Sequence, residues 1–242
     1  MNVVIFSKDR AAQLDLLYQS LRKNAPWIES PRTIVAHSSV EFLCGYSPML
    51  EPLGLVAYES SFDNFKGATL TMIDPNDDFL MFLTDDQVIY APMAKPRVAR
   101  GESFSMRLGK NCTWCYPPDC AQEEGTLDFD YPSVDARVVR TREFLNVVLP
   151  FGWSTPNELE NVLLQAWHAH MWRPKILWAD RSCVVSIPHN TVTRNPGVRN
   201  SGGTAEELNE RFLAGERLDL EGMDFSNVRA CHQEIPLVWR KR

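Results

Sequence analysis

Two adjacent carboxylates, Asp85 and Asp86, end a continuous apolar run, Phe79-Leu80-Met81-Phe82-Leu83. Like charges side by side where a buried strand meets solvent are costly unless something positive neutralises them, and a divalent cation is one such neutraliser. An ordinary turn is the other reading of the pair. His189 follows a second apolar run, Cys183-Val184-Val185-Ser186-Ile187, and precedes a segment rich in Asn, Gly, Arg and Ser. An imidazole there suits metal ligation; a surface histidine beside Pro188 is the alternative. Glu158 lies in Thr155-Pro156-Asn157-Glu158, a capping-box pattern in which its carboxylate would bond the Thr155 N–H. The same group could instead accept a proton in catalysis.

Other residues carry weaker signals. Cys112-x-x-Cys115 with Cys120 lacks the second cysteine pair that a structural zinc site needs, so buried or loop thiols are the favoured reading. His168 and His170 stand two apart on a helical segment and point to different faces, which fits packing or solvent rather than zinc. Between Lys95 and Lys110 lie five basic residues and one acid, a solvated face in most proteins. Arg107 within that stretch could nevertheless meet a phosphate or an anionic acceptor. His232 is a reserve metal or acceptor-side residue.

The elements that must position these groups follow from periodicity. Val3-Val4-Ile5-Phe6 reads as a strand, and Leu14, Leu17 and Leu21 mark a helix after the Ser7–Arg10 loop. Thr33–Ala36 and Leu55–Tyr58 read as further strands, and Phe62–Lys66 leads into a helix that stops before Pro75. The apolar run before Asp85 is the mark of a strand covered on both faces in a mostly parallel sheet. Ligands bind beyond the carboxyl ends of strands in such sheets, which directs attention to the loops at Ser7–Arg10, His37–Ser39 and Thr84–Gln87. From residue 101 the pattern changes. Phe104–Leu108 alternates as a half-buried strand, and the six acids from Asp119 to Asp135, with no base among them, read as a loop. A helix opens at Thr155 with Leu159, Val162, Leu163 and Ala166 on one stripe; Thr191–Gly203 reads as a mobile loop; Thr204-x-x-Glu207 is a second capping box. The expected fold is α/β, a Rossmann-like mixed, mostly parallel sheet flanked by helices in a single domain over 1–242. Residues 1–100 read as a nucleotide-binding type of α/β unit, with residues 101–242 the second half of the domain.

Composition bounds the function. The chain has 242 residues, 44% of them hydrophobic, enough for a real core. Its net charge of −6 argues against binding nucleic acid by bulk charge, though a local basic groove could still supply phosphate contacts. No apolar run reaches the ~20 residues of a membrane span. The N-terminus lacks the basic head and long apolar segment of a signal peptide, so a soluble, cytoplasmic protein is expected.

In order and strand context, Val-Val-Ile-Phe-Ser-Lys-Asp-Arg, Asn64-Phe65-Lys66 and Phe-Leu-Thr-Asp85-Asp86-Gln87-Val resemble the nucleotide-sugar domain of GT-A type glycosyltransferases. Asn157-Glu158-Leu159-Glu160, followed by Trp167 and His189, resembles the Glu-Asn-Leu-Glu…Trp…His order of polypeptide-modifying members of that fold. The resemblance spans roughly residues 1–190. It implies that Ser7 and Arg10 lie against the nucleoside, Ser38 contacts base or ribose, and Asp63, Asn64 and Lys66 face nucleotide or diphosphate. It further implies that Asp85, Asp86 and His189 ligate Mn²⁺ or Mg²⁺, with Glu158, or else Glu160, as base. The family motif often separates its acids by one residue; here Gln87 takes the last place, so which aspartate ligates directly stays open. The activity implied is metal-dependent transfer of a sugar from a nucleotide sugar, a UDP-sugar first among the donors, to the hydroxyl of a glycan or a modified DNA base, with residues 101–242 as the acceptor-binding half. A nucleotidyltransferase, which usually opens with a Gly-rich phosphate loop absent here, and an inactive nucleotide-sugar-binding module are the alternatives.

Overall fold

The computed structural model describes residues 1–53, 56–59, 64–112, 133–190 and 203–241, with 50–53 and 56–59 described in backbone only. In chain order the elements are β1 (Asn2–Lys8), α1 (Ala11–Asn24), β2 (Arg32–His37), α2 (Val40–Leu53), β3 (Val56–Glu59), α3 (Phe65–Thr71), β4 (Phe79–Thr84) and β5 (Gln87–Ile89). They continue with β6 (Glu102–Ser105), β7 (Arg137–Arg140), α4 (Thr141–Val148), α5 (Pro156–His168), β8 (Lys175–Trp178), β9 (Val184–Ser186), α6 (Ala205–Leu213), β10 (Glu216–Leu218) and β11 (Trp239–Lys241).

A seven-stranded sheet in the order β3-β2-β1-β4-β7-β6-β8 forms the centre. Its strands run parallel except β7, which is antiparallel to both β4 and β6. This is the mixed, mostly parallel, helix-flanked architecture expected from the sequence. Successive residues of β1 and β4 serve opposite cores: Val3, Ile5, Met81 and Leu83 pack on one side, Val4, Phe6, Leu80 and Phe82 on the other. A strand buried on both faces cannot alternate polar with apolar, which is why β4 reads as an unbroken hydrophobic run. The first core is closed by α1, α6 and the β5–β9 pair, the second by α3, α4 and α5. In the second, Phe82 stacks on Phe6 at 5.3 Å between ring centroids and meets Phe144 at 5.1 Å.

Two features bring distant chain to the carboxyl edge of the sheet. Because β7 runs backwards, the residues preceding it, Asp135 and Ala136, lie at the edge where the other strands end. The antiparallel β5–β9 pair carries Ile187–Asn190 to the same place, with the Ile187 N–H donating to the Asp86 carbonyl at 2.7 Å. Helix α5 also starts there, capped by the Thr155 hydroxyl on the Glu158 N–H at 3.1 Å, with Pro156 in its first turn. The capping box expected at Thr204 is present with both its bonds. Of Thr191–Gly203, expected to form a mobile loop, residues 191–202 lie outside the described residues. So do Cys115, Cys120 and most of the 119–135 acidic stretch.

Candidate functional site

The loop after β1 is held from inside. Asp9 adopts a left-handed backbone (φ 55°), a conformation that aspartate tolerates better than most residues, and its carboxylate accepts the Ser38 N–H at 2.7 Å. Ser38 itself is exposed at the end of β2. The two aspartates after β4 then divide sharply. Asp85 is buried and takes three donors: Arg10 Nη1, the Ser7 hydroxyl and the Lys8 N–H, each at 2.9 Å. Tyr46, fully buried on α2, accepts the Arg10 N–H at 2.7 Å and stands 2.7 Å from the Ser7 oxygen. Since the Ser7 proton goes to Asp85, the Tyr46 proton goes to Ser7, and the hydroxyls form a one-way chain ending on the carboxylate. Burial and the nearby acids push the Tyr46 phenol far above its ordinary range, so it stays a donor.

Arg10 is thus the centre of a clamp rather than a residue open to solvent. Besides Asp85, it donates through Nε to the Asn190 side-chain oxygen at 2.8 Å and through Nη2 to the Asn190 carbonyl at 2.9 Å. Asn190 is itself left-handed (φ 43°), which turns both oxygens toward the guanidinium. Burial works against the Arg10 charge, but Asp85 and Asp86 more than offset it and hold its pKa above the ordinary value. Ser7 and Arg10, expected to lie against the nucleoside, both have buried side chains bonded within the protein.

Asp86 turns the other way. It is only partly buried, and its Oδ1 accepts the Thr84 hydroxyl at 2.7 Å. The same hydroxyl lies 3.4 Å from Asp135, which also accepts Gln87 Nε2 at 3.0 Å and pairs with Arg107 at 2.9 Å. Arg107 is buried and also donates toward Ser186 at 3.3 Å and His232 Nε2 at 3.1 Å, so it serves Asp135 and the chain around His232 rather than facing an open groove. Its carbonyl in turn receives the thiols of Cys112 and Cys231 at 3.2 and 3.5 Å. Cys112 is thus a buried thiol beside another buried thiol.

The two glutamates of α5 are also sorted by the structure. Glu158 is exposed, and its carboxylate accepts the N–H and hydroxyl of Ser154, both at 2.7 Å. The cap contact therefore falls on Ser154, not on Thr155 as the sequence pattern suggests, and these bonds hold Glu158 below the usual carboxylate range. Glu160 points into the site and accepts the Val134 N–H at 3.1 Å. Burial and the neighbouring Asp135 push its pKa up to about 7, against the pull of Arg107 and Arg137.

The remaining expectations are placed as follows. Asp63 lies outside the described residues. Asn64 is the first residue before α3, with its side chain laid over Gly67, where a Cβ would come within 2.1 Å of its oxygen. Lys66, expected to face nucleotide or diphosphate, donates to the carbonyls of Leu149 and Phe151 at 2.8 and 2.7 Å and closes the end of α4. His189 is nearly buried, its Nε2 lies 3.2 Å from the Ile235 carbonyl, and burial lowers its pKa, which favours the neutral ring. Among the described residues no three His, Cys, Asp or Glu side chains stand together in a way that could hold an ion, so Asp85, Asp86 and His189 do not form a ready-made set. Hard carboxylate oxygens fit Mn²⁺ or Mg²⁺, and Asp86 is the member of the expected set with an accessible one. His168 and His170 are exposed, as their spacing suggests.

Asp135, Tyr46 and Asn190 were not visible as site residues in the sequence. Asp135 is the last acid of a stretch that reads as loop, and the Val138-Val139 pair three residues on is too short to announce a strand.

The fold and edge together define an α/β protein with a charged site at the carboxyl end of a mostly parallel sheet. No protein-family model matches the chain, and no curated protein matches it in sequence. Among solved structures the chain is similar to S. aureus TarS at 11% identity and a TM-score of 0.46, over 77% of this chain and 36% of that one. It therefore spans little more than a third of TarS. A cytidylyltransferase from Leptospira borgpetersenii is similar at 11% identity and a TM-score of 0.43, over 75% and 76% of the two chains. The galactosyltransferase LgtC, solved with donor and acceptor sugar analogs, is similar at 12% identity and a TM-score of 0.42, over 88% and 95%.

Proposed function

We propose that the chain is a metal-dependent glycosyltransferase of the GT-A type that moves a sugar from a nucleotide sugar, with UDP-sugars the first donors to test, to an acceptor hydroxyl. The observation that carries this reading is the split between the two aspartates after β4. Asp85 is neutralised inside the protein and braces the loop, while Asp86 presents a carboxylate at the ligand edge. A strand end built this way spends one acid on position so that the other can act.

Asp86 would hold Mn²⁺ or Mg²⁺, with further oxygens supplied by the donor diphosphate and water, as these ions commonly bind. When bound, the ion supplies Lewis-acid stabilisation of the negative charge on the departing diphosphate. His189 remains a candidate ligand only through a change of its contact with Ile235. Exposed Ser38, oriented through its N–H by the buried Asp9 carboxylate, would meet the nucleoside. Glu160 is the proposed proton acceptor: its carboxyl stands beside Asp135, is partly accessible, and titrates near the working pH, where a base is most effective. Glu158, spent on Ser154, is assigned to the helix cap.

The deciding experiment measures nucleoside diphosphate release from a panel of UDP-sugars with Mn²⁺, for the wild type and for Asp86→Asn. Turnover should fall by at least about 100-fold in the variant, a loss of the size expected for electrostatic stabilisation of a leaving group, at an unchanged unfolding temperature. Equal turnover in the two proteins would refute the assignment of Asp86.

A further inference from the structure

Asp135 lies between Asp86 and Glu160, the two acids given the chemical roles above. On one side its Oδ1 accepts Gln87 Nε2 at 3.0 Å and lies 3.4 Å from the Thr84 hydroxyl, whose proton goes to Asp86. On the other, the N–H of Val134, its neighbour in the chain, donates to Glu160 Oε1 at 3.1 Å. Oδ2 pairs with Arg107 Nη2 at 2.9 Å, so both oxygens are engaged within the protein. Arg107 is itself fixed. Its Nη1 lies 3.3 Å from the Ser186 hydroxyl and 3.1 Å from His232 Nε2, which takes that bond because an arginine only donates. The backbone holds the same carboxylate in place. Ala136 is fully buried and left-handed (φ 48°), a conformation that a residue with a Cβ keeps only where its surroundings impose it. They do so from two strands: its N–H donates to the Phe82 carbonyl at 2.9 Å, and its carbonyl accepts the Met106 N–H at 3.0 Å. Backbone strain, an ion pair and an amide thus converge on one carboxylate at the ligand edge.

A carboxylate with both oxygens engaged is poorly placed to ligate an ion or to receive a proton; what it offers its neighbours is a fixed charge. We infer that Asp135, locked by Arg107, is a positioning residue for Glu160: it remains the anion of the pair and leaves Glu160 as the carboxyl that carries the proton. Its part in catalysis rests on the transferase reading, whereas the link between the two carboxyls does not. Ionising a carboxyl beside a fixed carboxylate costs more than ionising one alone. Among the described residues the other charges bearing on Glu160 are Arg107 and Arg137, while Glu158, on the same helix, is bonded to Ser154. Burial first and Asp135 second raise Glu160 to about 7 against the pull of the two arginines.

The test titrates the full chain, without metal or donor, by ¹³C NMR of glutamate labelled at the side-chain carboxyl, the Glu160 signal being assigned from Glu160→Gln. In Asp135→Asn the Glu160 midpoint should fall from about 7 to roughly 6, the change expected when a neighbouring like charge is removed. The double variant Asp135→Asn/Arg107→Met leaves neither partner of the ion pair charged and alone, and it should show a smaller fall of the same sign should the single variant not fold. UDP-sugar turnover with Mn²⁺ is followed over the same pH range, and UDP binding with Mn²⁺ is measured by calorimetry. The kcat inflection should move down with the NMR midpoint, and the Kd for UDP should stay close to that of the wild type. A midpoint that stays at about 7 or rises overturns the proposal. So does a collapse of Mn²⁺-dependent UDP binding, which would make Asp135 an ion ligand. A kcat inflection that does not follow the moved midpoint overturns it too and leaves the transferase. A midpoint that falls in a protein with no donor turnover keeps the control of Glu160 by Asp135 and removes the transferase.

Discussion

Arg10 and Asp85 form a buried ion pair in which nearly every polar atom is satisfied, the arrangement in which loss of one partner is most damaging. Arg10→Met should cost about 3–5 kcal/mol of folding stability, because Asp85 is then left buried without its counter-charge, and urea denaturation reads this directly. A loss under about 1 kcal/mol would mean that water reaches Asp85 in solution. Glu160 gives a prediction of opposite sign. Its folded pKa is raised, so the unfolded chain ionises first as pH increases, and the folded state loses stability from the ordinary carboxylate range up to about 7. Glu160→Gln keeps an acceptor for the Val134 N–H and should be more stable than wild type at pH 8, by up to roughly 3 kcal/mol, with the gap closing below pH 4. Wild-type turnover should rise through pH 7 as the base ionises, and the variant should be slow without that inflection. Little of this was legible beforehand. Glu158 and Glu160 both flank the apolar stripe Leu159, Val162, Leu163 and Ala166, one on each side. Which of them faces inward depends on what α5 packs against, and the local sequence carries no information about that.

At the scale of elements, local signals were readable wherever the local physics decides. The apolar run of β4, the leucine spacing of α1 and the Thr204 box each form what their patterns predict, because burial on two faces, an amphipathic stripe and a cap are properties of a few neighbouring residues. Helix α2 was hidden by Gly45, Pro48 and Pro52, residues that normally interrupt helices. Strand β7 was hidden by its shortness and by the acids before it. Of the expected Phe104–Leu108 strand only Phe104 and Ser105 are strand, and the chain leaves the sheet after Ser105 to aim Arg107 at Asp135. The α5 cap supplies the prediction at this scale. Thr155→Ala should cost about 1 kcal/mol, and Glu158→Gln a smaller amount, with turnover unaltered in both. A large drop in turnover at full stability for Glu158→Gln would return the base to that residue.

For the whole molecule, the two hydrophobic cores share one wall, since neighbouring residues of β1 and β4 belong to opposite sides. A wall cannot lose one face and keep its strands paired. We therefore expect a single unfolding transition, with circular dichroism and tryptophan fluorescence giving the same midpoint; two separated midpoints would overturn the single-domain reading. Phe144→Ala, in the second core alone, should cost about 3–5 kcal/mol of stability and lower that common midpoint for the entire chain. No helix among the described residues is long and apolar enough to cross a membrane.

The reversed direction of β7 has a consequence for how such a protein can change. The strands around it deliver their last residues to the ligand edge, where each is followed by a loop with somewhere else to go. β7 delivers its first residues, so Asp135 is anchored on one side by a paired strand and on the other by Val134, buried in the second core with its N–H on Glu160. A substitution at that entrance is therefore felt at once by the sheet and by α5.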